Sequence, residues 1–252
     1  RDEKGIWRMD YEDMERKLRE EKIHAAVFCS PHNPTGRVWE REELEKMMAL
    51  FEKYEVQIVS DEIWSDIILQ GYHHIPTQSV SAYAKEHTVA LYAPSKTFNL
   101  AGLVGAYHVV YNRTLTDRMS KETSLTHYNT MNVLSMHALI GAYSEEGREW
   151  RRELCSVIQE NRDFACDFIE QFLPGLSVMP AEGTYMLFID CGKYLAEQGI
   201  SLEELERKMW DYGVAVQDGR MFHGESHVRM NLASPKSRVE EAFRRLKDYV
   251  FV

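Results

Sequence analysis

Three short polar clusters in this chain each follow an apolar run of the kind that forms a buried strand. They are Cys29-Ser30-Pro31-His32-Asn33-Pro34-Thr35-Gly36, Ser60-Asp61-Glu62-Ile63-Trp64 and Ala93-Pro94-Ser95-Lys96-Thr97-Phe98-Asn99. Each has an ordinary reading of its own: Asn-Pro-Thr-Gly is a good turn, an acid ending a strand is commonly a helix cap, and most lysines are solvated. In an open α/β sheet, however, ligands sit at the carboxyl ends of the strands, and three such clusters in this order are hard to assign to accident. A lysine amine becomes a useful nucleophile and base only where its site disfavours the ammonium, so Lys96 is a candidate for chemistry. Arg229 follows His227-Val228 in a strand pattern, where an unpaired buried cation would be costly. A ligand carboxylate would satisfy it through two parallel hydrogen bonds.

These residues need a frame. Asp10 can cap a helix carrying Tyr11, Met14 and Leu18 on one face, and residues 25–29 form an apolar run after it. Leu44, Met47, Met48 and Phe51, at i, i+3, i+4 and i+7, predict a second helix that leads into Val56-Gln57-Ile58-Val59. Strand-like runs follow at 88–92 and 104–110. Short apolar strands alternating with amphipathic helices predict an α/β fold, with a mostly parallel sheet covered by helices on both faces. After Ser144 the pattern changes. A long helix with Leu154, Val157, Ile158, Ala165, Phe168, Ile169 and Phe172 near one face ends at Pro174-Gly175. Strand-like segments at 176–179, 185–190, 214–217 and 228–232 come next, interrupted by a helix that Ser201 and Glu204 open with a capping box and Gly213 stops. Val239, Phe243, Leu246 and Val250 mark a last helix. The expected division is 1–143, a partial large domain, and 144–252, a bridging helix with a smaller α+β domain.

The chain has 252 residues, 44% of them hydrophobic, ample for a buried core. Its formal net charge of -10 argues against nucleic acid and anionic membrane as partners. No apolar run approaches the roughly 20 residues of a membrane span. The start, Arg1-Asp2-Glu3-Lys4, is no signal peptide and lacks an initiator Met, so the chain is expected to begin inside a longer protein. Cys29, Cys155, Cys166 and Cys191 lack C-x-x-C spacing, which reads as reduced thiols in the cytoplasm rather than a disulfide frame or zinc site. The adjacent His73 and His74 would rarely converge on one ion, so no metal site is expected.

Together, Ser-Pro-His-Asn-Pro-Thr-Gly, Asp-Glu-Ile, Ser-Lys-Thr-Phe-Asn-Leu-Ala-Gly and Arg-Met-Asn-Leu-Ala resemble the motifs of the aspartate-aminotransferase-fold (fold-type I) pyridoxal-phosphate enzymes. The resemblance runs from about Ile23 to the C-terminus. It implies pyridoxal 5'-phosphate as cofactor, with Lys96 as the Schiff-base lysine that also moves the substrate Cα proton. It implies that Asp61 pairs with the pyridine nitrogen, Asn33 hydrogen-bonds the ring hydroxyl and Arg229 clamps the substrate carboxylate. A fixed Asp anion would keep that nitrogen protonated, so that the ring can absorb the charge of a Cα carbanion.

The departures narrow the resemblance. Trp64 stands where common aminotransferases carry a Tyr that hydrogen-bonds the ring hydroxyl, Val104 replaces a phosphate-binding Arg, and Ala93 replaces a frequent phosphate-binding Ser. The phosphate would lean on Ser95 and on groups outside this chain. Loss of the Arg, the flanking Leu103-Val104-Gly105-Ala106-Tyr107, residues 142–150 and Gly219-Arg220-Met221-Phe222-His223-Gly224 are similar to the MalY/PatB-like subgroup of cystathionine β-lyases and carbon–sulfur lyases. Most of that subgroup carries His where Trp64 stands. The implied reaction is β-elimination from cystathionine or an L-cysteine S-conjugate, giving pyruvate, ammonia and a thiol. The rivals are an aminotransferase using the same four residues and a regulatory or binding protein that keeps the fold without turnover.

Four expectations follow from the resemblance. Lys96, Asp61, Asn33 and Arg229 converge on one cleft between the domains. The Asn33–Pro34 peptide bond is cis. The protein is a homodimer, with His127-Tyr128-Asn129-Thr130 crossing to the partner. Family members place before Arg1 a segment that binds phosphate and stacks on the ring, so this chain alone is expected to be empty or weakly loaded with pyridoxal phosphate, and inactive.

Overall fold

The computed structural model describes residues 1–123 and 131–252, which form two four-stranded sheets joined by a long helix. Helix α1 (Tyr11–Glu20) opens where expected, because the Asp10 carboxylate accepts the Asp13 backbone N–H at 2.9 Å. Strand β1 (Ala25–Cys29), helix α2 (Arg41–Lys53), strand β2 (Gln57–Asp61), the short helix α3 (Ala82–His87), strand β3 (Thr88–Tyr92) and strand β4 (Tyr107–Val109) complete the first layer. The order is β1-β2-β3-β4, parallel across the first three strands and antiparallel at β4. The predicted face of α2 is buried: Leu44, Met47, Met48 and Phe51 pack with Leu18, Phe28, Val56 and Ile58. Among the described residues β1 pairs on one side only, and its Val27 is 80% exposed.

The strand expected over 104–110 is shorter. Val104 closes a 3-10 turn over Ala101–Leu103 with φ 49°, a left-handed conformation costly for a β-branched residue, and extended backbone resumes only at Tyr107. Helices α4 (Arg113–Thr123) and α5 (Val133–Ala142) follow, neither of them predicted. His127, Tyr128, Asn129 and Thr130, expected at a dimer crossing, lie outside the described residues.

Helix α6 (Glu145–Phe172) begins at Ser144, whose hydroxyl accepts the Gly147 N–H at 3.2 Å. Its Ile158 packs with Trp64, Ile67 and Leu69 beside the first sheet, while Ala165 and Ile169 enter the core of the second. That sheet comprises β5 (Ser177–Val178), β6 (Met186–Asp190), β7 (Gln217–Asp218) and β8 (His227–Asn231), antiparallel in the order β5-β6-β8-β7. Helices α7 (Gly192–Gln198), α8 (Leu202–Asp211) and α9 (Lys236–Arg245) belong to the same half of the chain. The expected capping box of α8 is present, with Ser201 and Glu204 bonding each other's backbone N–H at 2.7 and 3.2 Å. β7 falls later than the predicted 214–217: Val214 and Val216 are buried in the core without joining the ladder.

A seam ties the first half of the chain to the second. The Gly36 carbonyl accepts the N–H groups of Glu182 and Gly183, both at 2.9 Å, Leu69 N–H donates to Glu182 O at 3.0 Å, and Thr184 N–H donates to Ile67 O at 2.9 Å. Gly36 has φ +71°, and a Cβ there would lie 2.5 Å from the Ala181 Cβ, so both the conformation and the space require glycine. Among the described residues no helix is long and apolar enough to cross a membrane.

Candidate active site

The loop after β1 is folded tightly on itself. His32 N–H donates to Arg37 O at 2.8 Å, Gly36 N–H donates to His32 O at 2.7 Å, and the His32 ring shares a 2.8 Å hydrogen bond with the Thr35 hydroxyl. Both Ser30–Pro31 and Asn33–Pro34 are cis; the second was expected and the first was not. From this loop the Asn33 side-chain oxygen accepts a hydrogen bond from Arg229 Nη1 at 2.8 Å, across the two sheets and 196 residues of chain. Arg229 lies in the middle of β8 rather than at its end, opposite Phe188 of β6 and Gln217 of β7. Its Nη2 donates to the Gln217 side-chain oxygen, and its Cζ sits 4.6 Å from the centroid of the Phe222 ring. Burial lowers the Arg229 pKa, partly opposed by the nearby Tyr185 phenol. Among the described residues no carboxylate forms an ion pair with it.

Asp61 ends β2, between Cys29 of β1 and Leu91 of β3 in register, and one carboxylate oxygen accepts the Ile63 N–H at 3.2 Å. The neighbouring Glu62 is fully buried behind it. Burial alone would raise the Glu62 pKa, but hydrogen bonds from His74 at 2.7 Å, Thr77 N–H at 3.0 Å and Tyr92 OH at 2.9 Å outweigh that and lower it. His74 is thus partner to a carboxylate, and among the described residues no group of three potential metal ligands occurs.

Lys96 lies in a turn closed by Phe98 N–H to Pro94 O at 2.9 Å and Leu100 N–H to Ser95 O at 3.1 Å. Its amine is 5.7 Å from the centroid of the Trp64 ring and, among the described residues, has no carboxylate partner. Trp64, only 2% exposed, meets Tyr185 edge-on at 4.6 Å between centroids. Thr97, next to the lysine, hydrogen-bonds Asp66 at 3.5 Å, and Tyr143 donates to the same oxygen at 3.2 Å. The structure therefore joins Asn33 directly to Arg229, and links Lys96 to the Arg229 side through Trp64 and Tyr185. Among the described residues, no hydrogen bond or ion pair connects Asp61 or Ser95 to Lys96, Asn33 or Arg229. Sequence reasoning missed Tyr185, Gln217, Phe222 and the Glu62 cluster. Only the position of Glu62 directly after Asp61 gave any hint of the last.

Residues 2–246 match the family described as aminotransferase class I and II. The chain belongs to that family. It is 33% identical over 246 residues to the cystathionine beta-lyase PatB of Bacillus subtilis, covering 96% of this chain and 62% of PatB. It is 30% identical over 239 residues to the protein MalY of Escherichia coli, covering 93% of this chain and 59% of MalY. Among solved structures, cystalysin of Treponema denticola, which contains a pyridoxal 5'-phosphate cofactor, superimposes with a TM-score of 0.89 at 31% identity. That alignment covers 96% of this chain and 61% of cystalysin. The pyridoxal-phosphate-bound C-S lyase of Staphylococcus hominis superimposes with a TM-score of 0.87, also at 31% identity, covering 97% of this chain and 63% of the lyase. The chain thus spans about 60% of the length of the relatives it matches. Its α/β fold is that of these enzymes.

Proposed function

We propose that the protein is a pyridoxal-phosphate-dependent carbon–sulfur β-lyase that converts cystathionine or L-cysteine S-conjugates to pyruvate, ammonia and a thiol. The observation that carries this reading is the Arg229 guanidinium, drawn across the two sheets onto Asn33 and left without a carboxylate counter-charge among the described residues. A half-buried cation so placed is complementary to the carboxylate of an amino-acid substrate. Similarity to PatB and cystalysin, with Val104 in place of a phosphate-binding arginine, favours the lyase over the aminotransferase.

The donor set fits the cofactor. Lys96 offers a primary amine with no competing carboxylate, Asp61 keeps one oxygen free of its own backbone, and Asn33 and Ser95 offer polar groups on the adjoining turns. When bound, pyridoxal phosphate supplies an electron sink for the charge left at the substrate Cα. Asp61 would hold the pyridine nitrogen in its protonated form, Ser95 would offer its hydroxyl to the phosphate, and the Trp64 ring walls the site beneath Lys96. Arg229, held by Asn33, would bind the substrate by its carboxylate. Lys96 Nζ removes the Cα proton, and the sulfur leaves Cβ with the electron pair of the broken bond.

We assign residues 1–143 to a large cofactor-binding domain and 144–252 to the bridging helix and small domain, in a cytoplasmic homodimer acting on small amino acids. Thiol and pyruvate release from a panel of S-substituted cysteines, run beside an amino-group transfer assay with 2-oxo acids, tests the reading. Transfer without pyruvate release would replace the lyase by the aminotransferase. Neither activity in the loaded protein would favour a regulatory role for the fold.

A further inference from the structure

Arginine carries five N–H donors and no acceptor, so any atom hydrogen-bonded to it must be an oxygen or its equivalent. In this site the two terminal nitrogens of Arg229 meet two amide oxygens, one from Asn33 and one from Gln217. The Gln217 amide is oriented at its other end, where Nε2 lies 2.9 Å from the Met221 sulfur. The face of the guanidinium rests on Phe222, in the short turn Arg220–Phe222 that follows β7. The cation is therefore fixed at two edges and one face by groups that bear no charge. Three N–H bonds remain, enough for a two-point contact with a carboxylate.

Neutral partners matter here. A glutamate in place of Gln217 would hold the guanidinium equally well in space, but would also neutralise it and compete with any incoming anion. An amide oxygen restrains the side chain while the full positive charge stays available. Contact with the Phe222 ring adds restraint of the same kind, without neutralisation.

We propose that Gln217 and Phe222 are positioning residues that hold Arg229 in place without neutralising it, and so set the selectivity of the site for substrates with a free carboxylate. The inference rests on the reading of Arg229 as the carboxylate clamp. Because the carboxylate is gripped equally before and during reaction, loss of the restraint raises KM and spares kcat.

The experiment compares an S-alkyl-L-cysteine with its carboxamide as substrates of the full-length, pyridoxal-phosphate-loaded protein. Q217E is expected to raise KM for the acid by about tenfold while kcat changes less, and to reduce the acid-over-amide preference in kcat/KM by a similar factor. Q217M and F222L, which remove restraint without adding an anion, are expected to raise KM for the acid by about threefold. Q217M also serves if Q217E fails to fold, as judged by its melting temperature. R229Q separates the two levels of the argument. If R229Q keeps the acid preference, the clamp reading itself fails. If R229Q loses the preference while Q217E and Q217M keep it, only the assignment of Gln217 is overturned. A fall in kcat at constant KM in the Gln217 variants would also overturn it.

Discussion

The guanidinium of Arg37, 1% exposed, is shared between the carboxylates of Glu43 in α2 and Glu182 in the segment that leads into β6. Arg8 closes the cluster with a 3.0 Å bond to Glu43, and Arg37 also donates to the Trp7 carbonyl at 3.1 Å. Removing Arg37 would leave two nearby carboxylates buried with reduced compensation. R37M is therefore expected to destabilise the fold by about 3–5 kcal/mol. Urea unfolding of R37M against the parent measures it, and a loss below about 1 kcal/mol would mean that water or Arg8 takes over the role.

Gly36 makes a second test of the same seam. G36A must place a Cβ against Ala181 in a left-handed backbone conformation. We expect a loss of about 2–4 kcal/mol, the clash and the conformation together. Adding A181G to G36A should recover only the side-chain part of the clash, since the Ala181 Cα at 3.0 Å and the Gly183 carbonyl oxygen at 3.1 Å remain against the new Cβ, so the double variant should melt between the parent and G36A.

His32 predicts a pH dependence. Burial lowers its pKa from 6.5 to about 4 in the folded chain. A depressed folded pKa means that the unfolded state binds the proton more readily. The stabilisation is therefore complete above pH 6.5 and is lost as pH falls toward 4, by about 3 kcal/mol in total. H32Q should flatten this part of the stability profile. An unchanged slope between pH 6.5 and 4 would place its origin in other groups.

The 252-residue chain by itself is expected to hold pyridoxal phosphate weakly. Val104 and Ala93 offer no side-chain donor to a phosphate, and Thr97 is already engaged with Asp66. Loading the purified chain and dialysing it should abolish the Schiff-base absorption. A band that persists would show that Ser95 and the backbone around Lys96 suffice.

Local signals carried much of this architecture. Asp10 and Ser201 announced their helices because capping is settled within three residues, and the α2 face was plain from its apolar spacing. The strand-end clusters at Asn33, Asp61 and Lys96 were legible because their motifs are contiguous. What escaped depends on partners far along the chain. Gly36 read as a turn residue, while its reason lies in Ala181; Gln217 and Phe222 act only through Arg229. Helix α5 was missed because Val133-Leu134-Ser135-Met136-His137-Ala138-Leu139-Ile140 has no polar face to reveal a period, and Val133, Leu134, Met136 and Ile140 are exposed. Val104 lay inside an apolar run, and nothing local foretold its left-handed backbone.

Among the described residues, strand β1 leaves one line of peptide groups without a neighbour in the sheet, along a five-residue run that contains neither charge nor proline. Such a border is a template on which any extended apolar chain can continue the ladder, and Val27 at its centre is open to water. Self-association should grow with concentration and resist salt, since backbone pairing and apolar contact are little screened. A lysine at position 27 should suppress it while leaving the hydrogen bonds between β1 and β2 in place.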